Sequence, residues 1–193
     1  MVRVTEALRD PEAALSRCIR EIVDFVDAEG WDRPPAMFAL VRTAELAAAE
    51  PDLLDQLEDG AEVTPLEQPP LPEDIDGGSP ALDEFLATTS WPESVAGCAL
   101  VQEIVILPPG AENEIGDVTG EAARESAFAH PEHKRARLFA GVLRDGPSLA
   151  LLQLEPDEDA DPYAEVELLT HDELAPDLVH ALYATLDAEP DDD

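Results

Sequence analysis

The chain has 193 residues, 45% of them hydrophobic, which is enough to bury a core of its own. Its formal charge of −34 repels nucleic-acid phosphates and anionic membrane surfaces, so neither is expected as a partner. No apolar run approaches the roughly 18 to 20 residues that a membrane helix needs, and MVRVTEALRDPEAAL lacks the apolar stretch of a signal peptide, so the expected location is cytoplasmic.

The first element is the plainest. Asp10 suits a helix cap and Pro11 a first helical position, and Leu15, Cys18, Ile19, Ile22, Val23 and Val26 then recur at helical spacing up to the stop at Gly30. Residues 11–29 are therefore a predicted helix. Trp31-Asp32-Arg33-Pro34-Pro35 breaks it, and Met37 to Val41 reads as a short strand apolar on both faces. Trp31 reads as a lid on the core edge, with a binding aromatic as the alternative. Residues 43–57 are helical again, with Thr43 as cap and Pro51 dividing them into two short pieces.

Val63 and Leu66 allow a strand that Pro65 pushes to a sheet edge, and PPLPEDIDGGSP follows as a connector. Ser79 caps a short helix containing Leu82, Phe85 and Leu86. Residues 95–107 give the longest strand, and the acidic, Ala-rich residues 111–129 read as a loop. Residues 135–144 and 148–155 form a hairpin around Asp145-Gly146. Pro147 has no N–H for a two-residue turn, so a slightly longer loop is expected. A last strand spans residues 165–169. Thr170 and Glu173 suggest a capping box for the final helix, with Pro176 in its opening turns.

This order gives an α+β fold: an antiparallel sheet of about four to five strands with helices packed mainly on one face. Residues 1–187 form one expected domain, and residues 188–193 an acidic disordered tail.

Candidate chemistry is sparse. There is no phosphate loop, nucleophile elbow or dinucleotide fingerprint, so no catalytic or cofactor residue is nominated and no cofactor is expected. His130 and His133 are spaced like metal ligands on a helix, but Pro131 lies between them and no third histidine or cysteine is near, so no metal site is assigned. Cys18 and Cys98 read as buried apolar residues. The acidity reads as solubility, a high-salt habitat or a genome bias, with an acidic binding face as the alternative, and one lysine against ten arginines, with abundant Ala, Pro and Asp, looks like GC-rich coding.

The exception is Lys134, Arg135 and Arg137, three of eleven basic residues within four positions. Acidic loops such as 155–161 could neutralise them. Otherwise these three, with Trp31, are the candidate contacts for a partner or an anion. On that reading, Arg135→Glu with Arg137→Glu weakens binding more than folding.

The segments GWDRPPAMFALVRTAELAAAEP, SWPESVAGCALVQEIVILPP and HPEHKRARLFAGVLRDGPSLALLQL, with the C-terminal LAPDLVHALYATL, resemble a family of uncharacterised actinobacterial proteins of about this length. The resemblance spans roughly residues 12 to 187 and carries over no functional residues. The leading expectation is a non-enzymatic protein-binding or adaptor module, which leaves a protein partner or a homodimer open. The alternative is a small-ligand-binding protein or enzyme with a pocket near Trp31, Trp91 and the basic cluster at 134–137.

Overall fold

The computed structural model describes residues 8–57, 61–75, 79–106, 134–144, 146–156, 168–170 and 174–188. Its elements in chain order are α1 (Pro11–Glu29), β1 (Ala36–Arg42), α2 (Thr43–Ala49), a 3-10 helix (Pro51–Gln56), β2 (Val63–Glu67), α3 (Pro80–Ala87), β3 (Val95–Ile106), β4 (Lys134–Leu143), β5 (Ser148–Leu154), β6 (Leu168–Leu169) and α4 (Pro176–Asp187). His130, His133, His171, the segment 111–129 and the acidic residues 189–193 lie outside the described residues.

The α+β fold is present, with one antiparallel sheet of order β2-β1-β3-β4-β5-β6. Among the described residues it has six strands, not four to five. The two outermost, each expected as a strand from its own residues, are the edges: β2, which contains Pro65, and β6, described over Leu168–Leu169. Gln68 N donates to Met37 O and Thr43 N donates to Glu62 O, so even-numbered positions of β2 turn their backbone groups toward β1. Pro65 therefore sits where its missing N–H faces the free edge and costs the ladder nothing.

The helices also differ from the expected one-sided arrangement. α1 covers one face, packing Leu15, Ile19, Ile22 and Val23 against Phe38, Leu40, Ala99, Val101 and Phe139. α3 and α4 cover the other, packing Leu82, Leu86, Leu182 and Leu186 against Met37, Ala39, Cys98, Leu100, Ala140 and Val142. The cause is in the strands: β1, β3 and β4 are apolar at odd and even positions alike, so neither face tolerates water. Each fully buried aliphatic side chain of α1 contributes about 1.5–3 kcal/mol relative to exposure.

Local chemistry fixes the element ends. Asp10 caps α1 by accepting from Ala13 N at 3.1 Å, and Ser79 caps α3 by accepting from Leu82 N at 3.3 Å. Two other expected caps are employed elsewhere. Thr43 lies inside α2 and its hydroxyl bonds that of Thr64 at 2.8 Å, tying α2 to β2. Thr170 donates to Ala150 O at 3.2 Å, and α4 begins later, with Pro176 in its first turn behind Ala175 at φ +51°. Proline pre-sets the helical φ and disfavours helix in the residue before it, so it outcompetes a cap six residues upstream.

The β4–β5 hairpin closes with Leu143 N donating to Pro147 O at 3.0 Å, which uses the only backbone hydrogen-bonding group that proline has. Cys18 and Cys98 are buried on opposite faces. Burial pushes the thiols up to about 12 and about 11, so both stay protonated at neutral pH.

Two glycines permit close approaches. Gly97 adjoins the register shift between β1 and β3, and a Cβ there would lie 2.3 Å from Val142 O. A Cβ on Gly141 would lie 2.4 Å from Ile19 Cδ1, the flexible tip of an α1 side chain. Gly97→Ala should therefore destabilise the protein by about 1–3 kcal/mol, and more than Gly141→Ala does. Urea unfolding ranks the two; equal midpoints would mean that β4 yields as easily as a side chain.

Candidate functional site

The β3–β4 ladder runs past the start of β1. Ala36 pairs with Val101, whereas Glu103 to Ile106 pair only with Arg137 to Lys134. On the α1 face this projecting ribbon would expose Glu103, Arg135 and Arg137. The segment between α1 and β1 folds over it instead. Glu103 Oε1 and Oε2 accept from the backbone N–H groups of Asp32 and Arg33 at 3.1 and 2.7 Å. Asp32 sits at φ +65°, a conformation that costs an L-residue about 1–2 kcal/mol. The two charge-assisted bonds to Glu103 offset it.

These bonds bring Trp31 down onto the arginines. Arg137 Cζ lies 4.1 Å from the centroid of the indole and Arg135 Cζ 5.8 Å, both within cation–π range. Arg137 is only 1% exposed and heads the fully buried side chains by size. Its Nη2 donates to Gly30 O at 2.7 Å and its Nη1 to Gln153 Oε1 at 3.0 Å, while Gln153 Nε2 donates to Asp27 Oδ1 at 3.0 Å. α1 has no basic residue in its last turn, so Arg137 supplies from the sheet the cation that a helix C-terminus favours. Burial pushes the guanidinium below its ordinary value, with Glu103 and Asp27 pulling the other way. The group stays cationic at any physiological pH.

Arg135 is more open. Its Nε and Nη2 bind the two oxygens of Glu155 at 2.7 and 2.8 Å, and its Nη1 bonds Asp32. Glu155 is held below the ordinary carboxylate range chiefly by the hydrogen bonds from Arg135. Lys134 is exposed at the start of β4.

Three of the four candidate residues, Trp31, Arg135 and Arg137, thus meet in one cluster, and their partners are carboxylates and carbonyls of the same chain. The sequence reading missed those partners, Asp27, Glu103 and Gln153. For Glu103 and Gln153 the signal was there in polar residues interrupting apolar strands, as in ALVQEIVI and LALLQLE. Trp91 lies elsewhere, buried on the opposite face with its Nε1 donating to Thr185 at 3.0 Å. The sheet separates the two tryptophans, so among the described residues they do not share a pocket with the basic cluster.

Beside Arg137, between α1 and the β1–β2 edge, the surface is hollowed. One hollow of about 100 Å³ is lined by Phe25, Phe38, Pro34, Pro69, Glu67 and Arg137 among others. A second, of about 160 Å³, shares Phe25, Phe38 and Glu67 with it. Phe25 is 43% exposed and stands edge-on to Phe38 at 6.2 Å. Among the described residues, no group of three or more His, Cys, Asp or Glu is placed to hold a metal ion, and no helix is long and apolar enough to cross a membrane.

Burial sets the two arginines apart in their expected effect on stability. Arg137→Ala should destabilise by about 2–4 kcal/mol, because a buried acceptor, Gln153 Oε1, and a half-buried one, Gly30 O, lose their donor. Arg135→Ala should cost about 1 kcal/mol or less, as for a solvent-screened pair. Denaturant unfolding measures both, and near-equal losses would contradict the placement of Arg137. The Glu155–Arg135 pair also has a pH signature. The folded-state pKa of Glu155 lies below its unfolded value, so the contribution is complete above the unfolded value and is lost as pH falls through the folded one. The stability gap between the native protein and Glu155→Gln should be open at neutral pH and close on acidification below the ordinary glutamate range. A gap independent of pH would contradict it.

No curated protein and no solved structure matches the chain. The family described as PPA1309-like protein matches residues 15–187, from the first turns of α1 to the last residue of α4. The chain belongs to the PPA1309-like protein family.

Proposed function

We propose that the protein is a non-enzymatic, cytoplasmic protein-binding module that engages its partner through the hollowed surface between α1 and the β1–β2 edge. The observation that carries this reading is Phe25. A large apolar ring on an otherwise charged helix face is left 43% exposed over two adjoining hollows. Small-molecule sites are typically roughly 300–1,000 Å³, and these hollows, at about 100 and 160 Å³, are each the size for a side chain. Two buried thiols on opposite faces, unpaired, suit a reducing compartment.

Within this reading Arg137 and Trp31 brace the inner end of the hollowed surface, and Arg135 ties the strand end to Glu155. Lys134 is the member of the basic cluster whose side chain is presented to an anionic group.

A photo-crosslinking residue in place of Phe25, with a control in place of Glu84 on the opposite face, tests the proposal in extracts at native salt. The expected result is one protein adduct at position 25 and none at position 84. The adduct should be suppressed by excess native protein but not by excess Phe25→Ser protein. Equal adducts at both positions, or a tightly retained small molecule with no adduct, would refute it.

A further inference from the structure

The geometry points to a specific kind of occupant for the hollowed surface: a protein segment with one large apolar side chain flanked by arginine or lysine. This inference rests on the binding-module reading and names its partner class.

Three observations fix the chemistry. The first is size. The larger hollow, about 160 Å³, lies between Phe25, Phe38, Ile22 and Pro65. An apolar cavity of about 150 Å³ accommodates a benzene ring, so it takes one aromatic or branched aliphatic side chain. The second is charge. Exposed Glu67 lines both hollows, on a chain of net charge −34, whereas Glu29 in the lining is already paired with Arg33 at 3.2 Å. A flanking arginine or lysine can lay its alkyl stem along Phe25 and bring its charge to Glu67. The surrounding field also accelerates the approach of a basic segment.

The third observation concerns the mode of docking. The β2 edge offers no N–H at Pro65, and Pro34, Pro35, Pro69 and Pro70 line the neighbouring wall without donors. The occupant is therefore held by its side chains and not as an added strand. A second copy of this chain fits poorly, since each copy carries 45 acidic residues against 11 basic ones and the two would repel.

The test uses three fluorescein-labelled synthetic peptides and the full-length protein, read by fluorescence anisotropy at low and moderate salt. One peptide has a central phenylalanine flanked by arginines, one has serine at that centre, and one keeps the phenylalanine but is flanked by glutamates. Only the first should bind measurably. Phe25→Ser and Glu67→Lys should each weaken it by about tenfold, the loss expected of one truncated anchor. Glu84→Lys, on the opposite face, should leave it unchanged. Thermal unfolding confirms that each variant is folded.

Equal affinity for the serine-centred peptide, or unchanged affinity of Phe25→Ser, would overturn the proposal by showing general charge attraction. Preference for the glutamate-flanked peptide would overturn it as well. If no peptide binds while the crosslinker at position 25 still captures a partner, the occupant is wrong and the binding-module reading stands. If both fail, both are overturned.

Discussion

The structure depends on the burial of one positive charge. Arg137 sits at the head of the apolar run of β4, and removing a guanidinium from water costs several kcal/mol before compensation. Compensation comes from four directions: the C-terminal carbonyl of α1, the Gln153–Asp27 relay, the face of Trp31, and the field of Glu103. These groups come from α1, the segment after it, β3 and β5, so satisfying Arg137 fixes those elements relative to β4. Arg137 also lines one of the two hollows beside Phe25.

How far the sequence foretold this varies with the range of the interactions. α1 was legible from Asp10 to Gly30 because cap, apolar stripe and stop are all local signals. The edge position of β2 followed from Pro65, and the lengthened hairpin loop from Pro147. Thr43 and Thr170 misled because a threonine hydroxyl can cap a helix or bond a neighbouring strand, and only tertiary position decides. The two-sided packing was written in the uninterrupted apolar runs of β1, β3 and β4, but a run of that kind does not say which helix will cover it.

The basic cluster shows the limit most clearly. Lys134, Arg135 and Arg137 look like one patch in the sequence, yet strand alternation sends Lys134 away from the other two, and distance along the ribbon sends Arg137 under Trp31 and leaves Arg135 beside Glu155. Chain charge predicted that carboxylates would be nearby. It could not predict that Glu103 would spend its two oxygens on backbone amides, because that requires knowing that the Trp31 segment folds over the ribbon. The candidate binding surface was less legible still: Phe25 carries no motif, and its exposure depends on tertiary packing.

The central claim is that the segment after α1 is locked onto the β3–β4 ribbon by Glu103 and Arg137. Native-state hydrogen exchange of the Asp32 and Arg33 amides tests it most directly. Both should be strongly protected, exchanging on the timescale of the central β4 amides, and both should lose protection together in Glu103→Ala. Exchange of Asp32 and Arg33 at the rate of an open loop in the native protein would contradict it.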